Sequence, residues 1–137
     1  MIITTSDVVA YKRGDSLVNI EISSDVMRGY IDLIILRVLC DGDSYGYAIS
    51  KMVTDLSENS YTMKETTLYS AFSRLEKLKY LYSYPGSVSG GRERTYYTLT
   101  EKGRQHYQYK CNEWTATKEL ISKFIINNEG DDNNGSN

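Results

Sequence analysis

Thr66, Ser70, Ser73, Arg74 and Lys77 are spaced i, i+4, i+7, i+8 and i+11. On a helix that spacing places hydroxyls and cations together on one face. Such groups donate hydrogen bonds to phosphate oxygens and to base edges in a major groove. A merely solvated helix face usually mixes Glu with Lys, whereas Glu65 and Glu76 fall off this one. Thr67 flanks the face. Tyr69 at its edge either sets its hydroxyl on a phosphate or packs against the body of the protein.

The chemistry of covalent catalysis is poorly represented. His106 is the single histidine among 137 residues, and no Ser–His–Asp, Cys–His or paired-carboxylate arrangement accompanies it. His106 reads as a surface or interface residue. The run Gly86-Ser87-Val88-Ser89-Gly90-Gly91 lacks the lysine and the following helix of a phosphate loop. Cys40 and Cys111 lie far apart with no His or Cys neighbour, which excludes metal-ligand spacing and suits reduced, structural thiols. No apolar run approaches the ~18 residues of a membrane span. The first residues carry no basic stretch followed by an apolar core. The expectation is a cytoplasmic protein that is not an enzyme, with no cofactor, no metal and no membrane partner.

The net charge of -2 opposes nucleic-acid binding only when taken whole. Residues 61–110 hold 9 basic and 4 acidic side chains, a local +5, between acidic flanks of -4 and -3. A basic segment of this kind is the electrostatic footprint of phosphate contact.

The elements that must position these groups follow from periodicity. Residues 1–24 read as an extension, partly ordered or flexible, in which Val18-Asn19-Ile20-Glu21-Ile22 alternates like a short strand. Ser24 and Asp25 are good N-caps for a first helix over about 26–40, stopped by Asp41-Gly42-Asp43. Ser44 would cap a second helix over about 45–56. Gly46 inside it costs about 1 kcal/mol relative to alanine and so points to close packing. A third helix over about 64–79 turns Leu68, Ala71, Phe72, Leu75 and Leu78 inward. Tyr80-Leu81-Tyr82-Ser83-Tyr84 and Arg92–Leu99 form two strands around the turn signals Pro85-Gly86 and Gly90-Gly91. Arg92 and Arg94 stand on this hairpin. Three helices followed by a hairpin make a mainly α fold, a winged helix-turn-helix, in which the third helix enters the major groove and the wing reaches nearby backbone.

A final helix over about 100–127 carries Tyr107, Cys111, Trp114, Lys118, Ile121 and Ile125 at alternating steps of four and three. That is an a/d seam, and a dimerisation helix is its natural reading. Residues 128–137 read as a disordered acidic tail.

Four segments in order resemble the PadR-like transcriptional regulators. They are Arg28-Gly29-Tyr30 through Leu36, Gly42-Asp43-Ser44-Tyr45-Gly46-Tyr47-Ala48 through Ser50, Thr67-Leu68-Tyr69 through Glu76, and Gly91-Arg92-Glu93-Arg94-Thr95-Tyr96-Tyr97 through Gly103. The resemblance covers about residues 26–110. It implies a homodimer, usually a repressor, bound to double-stranded DNA at an inverted repeat. It also implies a response to small aromatic compounds, with a tryptophan of the last helix at the dimer centre. Trp114 occupies the matching place, either as dimer-core packing or as a platform for a flat ligand. Glu93 departs from the basic wing typical of the family. The alternative is a winged helix that binds proteins rather than an operator, distinguished by the absence of a negative salt slope on DNA.

Overall fold

The computed structural model describes residues 8–87 and 93–126. Arg92, the Gly90-Gly91 turn and the acidic tail lie outside the described residues. Ten elements follow in chain order: β1 (Val8–Arg13), β2 (Ser16–Glu21), α1 (Ser24–Arg28), α2 (Ile31–Leu39), β3 (Ser44–Tyr45), α3 (Gly46–Leu56), α4 (Glu65–Lys77), β4 (Leu81–Ser87), β5 (Glu93–Leu99) and α5 (Glu101–Ser122).

The N-terminal extension is a β-hairpin. Val9 pairs with Ile20 and Tyr11 with Val18, and Gly14 turns the chain at φ +61°. The sequence pattern revealed only its second strand, because β1 runs Val-Val-Ala-Tyr without polar alternation. Val9 and Ile22 line an apolar groove together with Met27, Leu33, Ile34 and Leu56.

The single first helix expected over 26–40 is two helices. Ser23, not Ser24 or Asp25, caps α1 by accepting from Val26 N–H. The chain then passes through Gly29 and Tyr30 before α2. Glycine in a helix interior is disfavoured, and Tyr30 is held edge-on against Trp114 of α5 at 5.3 Å. Ser44 likewise is no helix cap. It pairs with Tyr97 as part of β3, the edge of a three-stranded sheet ordered β3-β5-β4.

The core gathers Ile35, Leu36, Val38 and Leu39 of α2, Ile49 and Val53 of α3, Leu68, Ala71, Phe72 and Leu75 of α4, and Leu81 and Tyr97 of the sheet. Each large apolar side chain fully buried here contributes about 1.5–3 kcal/mol. Phe72 stacks on Tyr97 with ring centroids 3.9 Å apart, which joins α4 to the sheet. The apolar stripe expected on the third helix is this inner face, except that Leu78 is the C-cap residue and is exposed.

α4 ends in a Schellman motif. Tyr80 N–H donates to the Leu75 carbonyl and Lys79 N–H to that of Glu76, with Lys79 at φ +67°. A non-glycine residue in that left-handed region is strained by about 1 kcal/mol. Lys79→Gly is therefore expected to raise stability by about 0.5–1 kcal/mol, a gain of about 2–4 °C in melting midpoint. A fall in the midpoint would show that Lys79 holds the turn by other means.

Candidate nucleic-acid interface

α3, the connecting loop and α4 form the helix-turn-helix. The loop is tied at Ser57, whose hydroxyl donates to the Thr54 carbonyl at 3.0 Å and accepts from Tyr61 N–H at 3.1 Å. Buried Met63 then pins the loop to the core just before α4 begins. Because Leu68, Ala71, Phe72 and Leu75 face inward, Thr66, Ser70, Ser73, Arg74 and Lys77 are all turned to solvent, and Thr67 is half-buried beside them.

Tyr69 stands at the edge of that row, 45% exposed. Its ring lies edge-on to Phe72 at 5.7 Å. Its hydroxyl oxygen stands where a side chain on Gly46 would have to go, 2.6 Å from an ideal Cβ. The close packing expected at Gly46 is thus the contact between α3 and Tyr69.

The face of α4 is free of carboxylates only along its own sequence. Glu76 turns to the wing, where its carboxylate accepts from Ser83 N–H at 3.1 Å and from the Ser83 hydroxyl at 2.6 Å. The first turn of α2, however, brings Asp32 to Arg74, and the two form an ion pair. A shallow depression beside this pair is lined by Arg28 and Ile31 together with Thr66, Thr67, Ser70 and Arg74. Arg28 and Asp32 were not identified from the sequence. They lie more than 40 residues from Arg74, and no local spacing links them.

The wing is latched at its base by Asp43. The Tyr84 hydroxyl donates to one carboxylate oxygen at 2.6 Å and the Thr98 hydroxyl to the other. These bonds hold the Asp43 carboxyl below its ordinary range and push the Tyr84 phenol up to about 12. Arg94 sits over the Tyr45 ring at 4.2 Å. The guanidinium is thereby anchored to the start of α3 rather than freely projecting. Glu93 beside it is exposed.

α5 runs from the wing across α2. Tyr107 packs against the core, and Cys111 is half-buried. Those two seam positions are thus partly covered within their own chain. Trp114 remains 44% exposed above Tyr30. Ser122 lies eight residues farther on, about 12 Å along the helix axis, and Lys118, Leu120, Ile121, Phe124 and Ile125 of this overhang are exposed. Leu120 and Phe124 fall outside the a/d spacing and so escaped the sequence reading. His106 stacks face to face on Tyr80 at 4.0 Å, and partial burial lowers its pKa. Among the described residues no group of His, Cys, Asp or Glu is arranged to hold a metal ion, and no helix is long and apolar enough to cross a membrane.

Residues 35–109 match the sequence model of the Transcriptional regulator PadR-like family. A relative from Lysinibacillus sphaericus, described as an uncharacterised protein, is 41% identical over 104 residues, 76% of this chain and 95% of that one. A transcriptional regulator from Clostridium thermocellum has a similar structure, with a TM-score of 0.70 at 53% identity over 77% of this chain and 99% of that one. A PadR family transcription regulator from Clostridium difficile gives a TM-score of 0.61 at 37% identity, covering 71% of this chain and 99% of that one.

Proposed function

The chain belongs to the PadR-like family of transcriptional regulators, and from that premise we propose that it works as a homodimer gripping an inverted-repeat operator with α4 and the wing. Families of this kind regulate transcription and are not enzymes. The observation that carries the reading is the α4 face. Thr66, Ser70, Ser73, Arg74 and Lys77 stand exposed in a row while the opposite side of the same helix is locked into the core. Thr67 borders the row, Arg94 and Arg92 supply the wing contact, and Tyr69 positions α3 against α4.

The dimer would form along α5, where Lys118, Ile121 and Ile125 are exposed beyond the body, Trp114 is partly exposed above Tyr30, and half-buried Tyr107 and Cys111 continue the same seam inward. Covering the apolar overhang in a second copy removes large aliphatic and aromatic surface from water. Two α4 helices would then meet successive major grooves about 34 Å apart. The dimer would act as a cytoplasmic repressor, which a flat aromatic compound entering at Trp114 shifts away from the DNA-competent state.

Selection of bound duplex from the genome of the source organism, followed by footprinting, tests the reading. The expected result is a promoter-proximal inverted repeat with two protected half-sites one helical turn apart, and an affinity that falls steeply with salt. Aromatic compounds that quench Trp114 fluorescence are expected to weaken that footprint. Recovery of no common sequence, with affinity indifferent to salt, would overturn operator binding and leave the protein-binding alternative.

A further inference from the structure

The side chain expected to read DNA most strongly is already engaged by another part of the protein. Arg74 Nη2 donates to Asp32 Oδ1, across 42 residues of sequence, and joins the outer face of α4 to the first turn of α2. The two partners are unequally placed. The Arg74 side chain is 48% exposed, whereas that of Asp32 is only 20% exposed. Arg74 can therefore swing toward a duplex. Asp32 cannot follow it, and is left as a largely covered carboxylate without its cation.

We propose that Asp32 is a built-in competitor for DNA, whose carboxylate holds the Arg74 guanidinium and so lowers the affinity of the α4 face for any duplex. The inference rests on the operator-binding reading above.

Magnitudes favour such a competition. Exchanging one carboxylate for one phosphate oxygen replaces one partly solvated ion pair by another, and such pairs are worth a factor of about 5 or less. A guanidinium that bonds a guanine edge through both O6 and N7 gains a factor of about 5–150 over a mismatched base. Leaving Asp32 with only the N-terminus of α2 for compensation carries a penalty in both cases. The exchange is then close to neutral or unfavourable on arbitrary sequence, and favourable where a base edge accepts both donors. The fixed negative charge of Asp32 also offsets the phosphate attraction of Arg28, Arg74 and the rest of the depression, which lowers binding to any duplex.

The test compares the wild type with Asp32→Asn, and with Asp32→Ser as a second charge-removing variant suited to the first turn of a helix. Each full-length protein is titrated with two probes: the duplex recovered by genomic selection, and a scrambled duplex of the same length and composition. In both variants the scrambled duplex is expected to bind about 5-fold more tightly, with a salt slope steeper by about one. The selected duplex should tighten by about 5-fold or more, because Arg74 has to leave Asp32 there as well. Asp32→Glu keeps the charge and should keep the wild-type affinities. In an Arg74→Ala background the effect of Asp32→Asn should shrink below about 2-fold, because the carboxylate then has no guanidinium to restrain. Unchanged affinity and slope in folded variants, or weaker binding of either probe, overturns the proposal and leaves Asp32 a structural residue. A wild type that does not distinguish the two probes overturns operator binding and this inference together. A selective wild type with an indifferent Asp32→Asn overturns only the latter.

Discussion

Gly103→Ala is expected to lower the melting midpoint by about 10 °C, equivalent to roughly 3 kcal/mol for a chain of this size. A Cβ at Gly103 would lie 2.0 Å from the Tyr80 carbonyl oxygen and 2.6 Å from the Leu99 side chain. The first of these is backbone and cannot rotate away. The same carbonyl accepts from Thr100 N–H at 3.1 Å, so displacing it breaks the bond that starts α5. Thr100 also caps α5 by accepting from Gly103 N–H at 3.0 Å. The substitution thus strikes the cap, the strand start and the end of the Schellman turn together. Thermal unfolding by circular dichroism checks this. A midpoint within about 2 °C of wild type would mean that α5 can slide off β4 at little cost, and that the junction is not tight.

The second large effect falls on binding. Arg74→Ala is expected to weaken the selected operator about 100-fold, close to 3 kcal/mol, while the midpoint moves by only a few degrees. The contrast follows from exposure. Arg74 is half in solvent and its ion pair is worth about 1 kcal/mol or less to the fold. Sedimentation should show the same assembly as wild type, because Arg74 lies on α4 and not on the α5 seam. Gel-shift titration with the selected duplex supplies the decisive number. Unchanged affinity would remove Arg74 from the reading surface and, with it, the central assignment made for α4.

The contrast between these two positions also marks what a sequence can disclose. The inward and outward faces of α4 were legible because a period of 3.6 separates Leu68, Phe72 and Leu75 from Ser70, Ser73 and Arg74 within one short segment. The wing was legible from its aromatic strands and its glycines. The division of the first helix at Gly29-Tyr30 was not, since the apolar positions stay in phase on either side and the break is stabilised by Trp114, more than 80 residues away. β3 was hidden because two residues carry no alternation, and only β5 makes them a strand. Arg94 looked like a free cation until Tyr45 was brought beneath it. The Asp32–Arg74 pair escaped for the same reason. Its parts lie on different helices, and spacing within a helix is silent about charges supplied from outside it.

The joint between the wing and α5 has one more consequence. Lys102 Nζ donates to the Leu78 carbonyl at 2.9 Å, the Thr100 hydroxyl to that of Lys79 at 2.7 Å, and His106 lies flat on Tyr80. With Gly103 wedged beneath Tyr80, no slack remains between the end of α4 and the start of α5. In the proposed dimer each protomer would behave as one stiff arm of a pair of calipers, with the pivot near Trp114. The gap between the tips would then be set by the opening angle alone. An operator with one base pair inserted between its half-sites would be refused by geometry, even though every contact within each half were intact.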